Sequence, residues 1–308
     1  MSAKRTPHVH RSLTIPGDWL ASVTRTVPDF GALRAAIQKM AANRTGIAFR
    51  GYTAAAKGEQ GTPEALVTGL ERACKSVDRR LDKAIRRELA IIREFMRRAH
   101  HYLSDLPDKK NAFEWLALMQ HHGAPTRLLD WTYSLHVATH FALSKASRSE
   151  SDDLAIWVLD TEWCRDASAS ACKAKGKPAP NLARWPIDRN LEELASQELL
   201  ADNRPLSIWP INPFRLNERL TLQKGVFLAP GQPTQSFVDN LLALTGHDVS
   251  NVARFIVPRS QISHIAKELY DTNVTEATLF PGLDGFARSL WTSAPYLHFE
   301  GLTTFARL

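Results

Sequence analysis

A chain of 308 residues with 44% apolar side chains can bury one large core or two modest ones, which excludes wholesale disorder. Its 39 Lys and Arg against 32 Asp and Glu give a net charge of +7, so an anionic partner is expected, whether nucleic acid, a nucleotide or an acidic protein. Three cysteines, Cys74, Cys164 and Cys172, lack the close pairing of a disulfide framework or a cysteine zinc knot, and point to a reducing compartment.

Met1 to Thr14 is a basic lead-in with no apolar segment, so no signal peptide is expected, and no run reaches membrane-spanning length. The expectation is a cytoplasmic protein with a lead-in over 1–27 and one domain over 28–308. A helix follows Pro28-Asp29, with Leu33, Ile37 and Met40 on one face. Gly46 to Tyr52 reads as a short strand that ends in Arg50-Gly51. A guanidinium at a strand end makes paired bonds to anionic oxygens, and a following glycine lets a ligand approach the backbone. An ordinary strand-end ion pair is the alternative. Thr62 to His101 is predicted as one long helix, broken near Lys75, with an apolar stripe through Leu81, Ile85, Leu89, Ile92, Met96 and Ala99. Its arginine-rich face reads as solvated and partly neutralised by Asp78, Asp82, Glu88 and Glu94, in preference to a nucleic-acid face.

The densest polar stretch is Gln120 to Leu143, QHHGAPTRLLDWTYSLHVATHFAL. Asn111 and Glu114 start the helix that leads into it, Gly123 stops that helix, and Pro125 forbids its resumption. Thr126 to Thr132 is predicted as a strand, and Thr132 or Ser134 caps the next helix, whose apolar face is Val137, Ala138, Phe141 and Ala142. Gln120, His121, His122, Arg127, Asp130, Trp131 and Ser134 therefore gather at two element ends, where backbone donors and polar side chains meet a ligand. A buried Arg127–Asp130 pair that merely holds the turn is the competing reading. His136 and His140 share a helical face at i and i+4, but no Glu follows His136, so a packed or surface pair is expected rather than a hydrolytic metal site.

Leu154 to Asp160 is a buried strand, and Asp166 to Leu182, rich in Ala, Lys, Ser and Pro, is predicted as a surface excursion. Trp185-Pro186 and Trp209-Pro210 mark turns or edge positions. Asn217 to Pro230 is a short helix or loop that feeds a strand through Gly225. Arg254 to Pro258 is a strand before a helix carrying Ile262, Ile265 and Leu269, and Thr278 to Leu290 is predicted as strand, turn and helix. Short strands scattered among helices suggest α+β in one domain.

Phe49-Arg50-Gly51, the stretch QHHGAPTRLLDWT with Ser134 and Phe141-Ala142, Arg219 with Gln223 to Phe227, and Leu279 to Gly285 resemble, in order, the FRG domain family. His122 stands where that family usually has tyrosine, Leu135 replaces a proline, His140 an aromatic residue and Gly282 an acidic one. A second, fold-level similarity is to ADP-ribosyltransferases. It implies short, mostly antiparallel strands in a split sheet flanked by helices, and NAD as substrate, with ADP-ribosyl transfer or NAD hydrolysis as the activity. On that likeness Arg50 holds the pyrophosphate, Gly51 offers its backbone to the nicotinamide amide, and Thr126, Thr132 and Ser134 support the ribose. Gln120, His121 and Arg127 complete the binding set. Asp130, Glu218 and Asp284 are candidates for the acid, and Gln223 for the position where the fold expects one. A toxin-like or defence role would suit such a domain. The alternative is a non-catalytic binder of nucleotide or nucleic acid built on Arg50, Arg127 and the basic helix.

Overall fold

A computed structural model of the chain describes residues 17–54, 64–77, 80–146, 152–182, 189–201, 204–215 and 217–293. In chain order these form α1 (Gly17–Val23), β1 (Thr24–Thr26), α2 (Phe30–Ala41), β2 (Ile47–Ala54), α3 (Gly69–Val77), α4 (Ala84–Ala99), α5 (Ala112–His121), β3 (Leu129–Thr132), α6 (Leu135–Ala146) and β4 (Asp153–Asp160). They continue through α7 (Thr161–Ala174), α8 (Arg189–Leu200), β5 (Ile208–Ile211), α9 (Glu218–Leu222), β6 (Gly225–Pro230), α10 (Phe237–Leu242), β7 (Val252–Val257), α11 (Ile262–Asp271), α12 (Glu276–Leu279) and α13 (Leu283–Ser293). The fold is α+β, as expected from the alternation of short strands and helices.

The strands form one sheet in the order β1-β7-β4-β2-β3-β6-β5. Every neighbouring pair is antiparallel except β1 with β7. The β2–β4 ladder runs over eight residue pairs, whereas β2 and β3 register at the single pair Phe49–Thr132. The sheet is therefore split at β2/β3, and the strands part on either side of that one contact.

Side-chain alternation assigns the cores. On one face a continuous core joins both halves of the sheet: Trp19 and Val23 of α1, Leu129 and Trp131 of β3, Trp157 of β4 and Phe237 and Leu241 of α10. The opposite face carries two separate cores. One packs α2, α6 and α11 on β2, β4 and β7 through Phe30, Leu33, Phe49, Ala138, Ala142, Ile156 and Ile265. The other packs α4, α5 and α8 on β5 and β6 through Ile92, Phe113, Leu116, Leu199, Trp209 and Phe227. The boundary between those two helical covers falls over the split in the sheet.

Gly51 is fixed by packing. A Cβ there would lie 1.7 Å from the carbonyl oxygen of Ala138, so its smallness admits α6 onto β2 rather than a ligand onto the backbone. Gly123, with φ +78°, ends α5 in the left-handed region that favours glycine.

Several sequence expectations are corrected. Residues 17–27, expected as lead-in, pack with the sheet: β1 lies beside β7, and Trp19 and Val23 are buried. The helix predicted from Thr62 is interrupted close to Lys75, as expected: α3 ends at Val77 and α4 starts at Ala84, with residues 80–83 outside both. Of Asp166 to Leu182, the part up to Ala174 belongs to α7, where Cys164, Ser168 and Cys172 recur every four residues, all buried, and Ser168 Oγ bonds the backbone of Ile208 at 2.7 and 3.0 Å, whereas Lys173 to Ala179 are exposed, as expected. The small residues of α7 permit close packing, which composition alone reads as surface. No strand forms at Thr278, which instead closes a capping box with Thr275 at the start of α12. Trp209-Pro210 sits on edge strand β5, and Trp185-Pro186 lies outside the described residues.

Candidate functional site

The split between β2 and β3 opens into a cleft of about 210 Å³, lined by Phe49, Arg50 and Gly51 of β2, Asp130, Trp131 and Thr132 of β3, Phe141 and Lys145 of α6, and Arg219, Leu220, Gln223 and Gly225 of the α9–β6 corner. A smaller hollow of about 50 Å³ adjoins it, bordered by Gln120, His121 and Asn217 and sharing Asp130, Arg219, Leu220 and Gln223. Alternation explains part of the membership: on β3, Leu129 turns into the continuous core and Asp130 and Thr132 to the opposite face, where the helical covers part, while Arg50, bonded to Ala65 of the continuous core, reaches the cleft from the other side of the split.

Arg50 spans the gap where the ladder is open. Its Nε donates to the carbonyl of Ala65 at 2.6 Å and its Nη1 to the carbonyl of Asp130. Both acceptors are neutral, and among the described residues no carboxylate forms an ion pair with it. Burial lowers its pKa, and the charge of Asp130 partly restores it. Arg219, on the opposite wall, is seated over the ring of Phe280, 4.4 Å from the centroid, and its pKa too is lowered chiefly by burial. Two guanidinium groups without an ion-pair partner thus face one cleft. That is the arrangement an anionic ligand needs, since the desolvation cost is already met by the fold and the charge is unspent.

Asp130 is the acid of the cleft, held by a chain of hydrogen bonds inside the central stretch. Thr126 Oγ1 donates to Gln120 Oε1 at 2.5 Å, and Gln120 Nε2 donates to Asp130 Oδ2 at 2.8 Å. Thr126 is itself fixed, its Oγ1 accepting from the Leu128 amide at 3.1 Å and its carbonyl from the Leu70 amide at 2.8 Å. That local turn is also why β3 begins at Leu129 rather than at Thr126. Thr132 Oγ1 donates to the carbonyl of Gln223 at 2.6 Å and accepts from the amide of Ser134 at 3.0 Å. Gln223 Nε2 donates to the carbonyl of Leu279 at 3.1 Å. Gln223 therefore ties β3 to α12 and lines both hollows, but it carries no charge. His121 borders the smaller hollow, its pKa lowered by burial first and by His122 and Arg219 next.

Arg50, Gly51, Gln120, His121, Asp130, Thr132 and Gln223 are thus gathered at the cleft. The other three expected site residues serve elsewhere. Ser134 caps α6, its Oγ accepting from the Val137 amide at 3.4 Å, and does not line the cleft. Thr126 acts through Gln120. Arg127 is in the core: its side chain forms a two-pronged pair with Glu88, Nε lying 2.8 and 2.9 Å from the two oxygens and Nη2 bonding Oε2, while Nη1 reaches the carbonyls of Leu199 and Pro230 at 3.3 Å. The competing reading, an Arg127–Asp130 pair, is replaced by this one, because Arg127 lies ahead of β3 and its side chain enters the core against α4 and α8, whereas Asp130 lines the cleft. Glu218 and Asp284 are exposed and line neither hollow. His136 and His140 take separate carboxylates, Glu268 at 3.8 Å and Glu276 at 2.8 Å. Sequence reasoning left Lys145, Arg219 and Phe280 out of the site. Arg219 and Phe280 had a signal, since both stand in stretches that carry the family likeness, whereas nothing local marks Lys145.

No curated protein and no solved structure matches the chain. A family model, FRG domain, matches residues 47–151, which run from the first residue of β2 through the Gln120–Asp130 network and α6. Over residues 47–151 the chain matches the FRG domain, and there Phe49, Arg50 and Gly51 build one wall of the split: the phenylalanine in the core, the arginine across the gap and the glycine under α6.

Proposed function

We propose that the cleft binds an NAD-type dinucleotide by its phosphates and supports cleavage of the nicotinamide–ribose bond, with ADP-ribose passed to water or to an acceptor. The observation that carries the reading is the pair Arg50 and Arg219, two cations without an ion-pair partner facing one hollow, with a single oriented carboxylate, Asp130, beside them. Breaking a glycosidic bond develops positive charge on the sugar ring. A fixed carboxylate stabilises that charge, and rigid placement of the phosphates supplies the orientation. In this reading Arg50 and Arg219 bind phosphate oxygens, Asp130 faces the reacting ribose, Gln120 and Thr126 hold Asp130, and Phe141 forms the apolar wall. The volume bears on the pose. About 210 Å³ is below the roughly 300 Å³ at which a pocket encloses a whole small molecule, so one end of the dinucleotide extends over the rim.

The test is a melting-temperature titration with NAD together with chromatography for released nicotinamide, on the wild type, Arg50→Ala and Asp130→Asn. Binding without turnover in Asp130→Asn, and neither in Arg50→Ala, is the expected pattern. A wild-type protein that neither shifts its melting point nor consumes NAD refutes the reading. The alternative, a non-catalytic nucleotide or nucleic-acid module, is weakened at the basic helix, where Arg97 and Arg98 are both paired with Glu94. A gel shift with steep salt dependence would revive it.

A further inference from the structure

The family match stops at residue 151, yet Arg219 and Gln223 lie far beyond it, on a corner of chain held by the α12–α13 hairpin. The two arginines around Phe280 differ in a telling way. Arg288 lies 5.6 Å from the ring centroid and is also paired with Glu276, Nε to Oε1 at 3.1 Å, so its charge is spent. Arg219 lies 4.4 Å from the same centroid and, among the described residues, its side chain makes neither an ion pair nor a hydrogen bond. A guanidinium held by an aromatic face keeps all five N–H donors and its full charge for something else. The platform itself is fixed from three sides. Phe280 meets Phe141 edge to face at 6.1 Å, the carbonyl of Leu279 accepts from Gln223, and Glu276 anchors α12 to His140 of α6 at 2.8 Å.

We propose that Arg219, positioned by the ring of Phe280, is a second anion-binding residue of the cleft, and that its ligands carry a diphosphate group, gripped by Arg50 from the split in the sheet and by Arg219 from the facing wall. The proposal rests on the anion-binding part of the reading above and adds to it the support of Arg219 by Phe280, which makes the α12–α13 hairpin part of the clasp. Phe280 is a positioning residue. Its side chain need not touch the ligand, but the direction of the Arg219 donors depends on it.

The experiment is calorimetric titration of the full chain with pyrophosphate, inorganic phosphate and NAD. The wild type should bind pyrophosphate at least 10-fold more tightly than phosphate. Arg219→Ala should weaken pyrophosphate by about 10- to 150-fold, the range for charge-assisted hydrogen bonds. Phe280→Leu keeps apolar bulk but loses the ring face, and should weaken it by about 2- to 30-fold, while Phe280→Tyr should stay within about 2-fold of wild type. Melting curves of each variant, taken without ligand, separate lost binding from lost fold. Equal affinity for phosphate and pyrophosphate, or unchanged pyrophosphate binding in a folded Arg219→Ala, overturns the clasp. If NAD binds and depends on Arg50 but not on Arg219, the clasp fails and the dinucleotide reading stands. If pyrophosphate binds through Arg219 while NAD does not bind, the clasp stands and the dinucleotide reading fails.

Discussion

Replacing Arg127 with methionine separates its two readings, a ligand-binding arginine and a core ion pair. The side chain is 2% exposed and that of Glu88 1%. The methionine variant leaves Glu88 buried without its cation and strips the carbonyls of Leu199 and Pro230 of a donor. Breaking a buried pair from one side costs about 3–5 kcal/mol. For a domain of this size each kcal/mol moves the midpoint by roughly 2–4 °C, so a fall on the order of 10 °C is expected. Glu88→Leu should cost a similar amount, whereas the double variant Glu88→Leu with Arg127→Met should recover most of it, because two apolar side chains of like volume replace the pair with no orphaned charge. Urea unfolding of the four proteins, with the slope checked for constancy, gives the coupling energy directly. Below the midpoint, folded Arg127→Met should still bind NAD as the wild type does. If it loses ligand binding with an unchanged midpoint, the assignment of Arg127 to the core is wrong.

Gly51→Ala should destabilise by several kcal/mol, of the order seen for overpacking at about 1–3 kcal/mol or beyond, because the added carbon meets the backbone of Ala138 rather than a side chain that can move; a melting curve within 2 °C of wild type, about the shift that 1 kcal/mol makes, would contradict the packing. Gln120→Ala should lower turnover of NAD more than its binding, since Asp130 loses its tether and the phosphate grip does not, so comparable losses in kcat and KM argue against a positioning role. The hydrogen bond from His140, first, and Arg288 after it hold the Glu276 carboxyl below its ordinary value of 4.5. A carboxyl whose folded pKa is depressed stabilises the fold above the unfolded value and loses that contribution as pH falls through the folded one. Stability should therefore drop below about pH 4.5, and His140→Phe, which removes the hydrogen bond to Glu276, should flatten that drop in acid melting curves.

Much of the local structure was legible without coordinates. Asp29 caps α2, Asn111 caps α5, Gly123 ends α5 and Ser134 opens α6, because each is a short-range bargain between one side chain and the orphaned backbone groups of a single helix end. The strands around Phe49, Ile156 and Phe255 announced themselves by β-rich apolar runs, and the sequence order of Arg50, Gln120 and Asp130 marked the stretches that meet at the cleft. Distance along the chain hid the rest. Whether Arg127 pairs with Asp130 three residues away or with Glu88 thirty-nine residues away depends on where α4 and α8 pack around the turn ahead of β3, and no local pattern fixes that. The same holds for Arg219 and Phe280. Their contact arises where α9 and α12 converge beside the split sheet, and only the packing of three cores on two faces decides that a gap opens there, lined by two arginines without an ion-pair partner among the described residues.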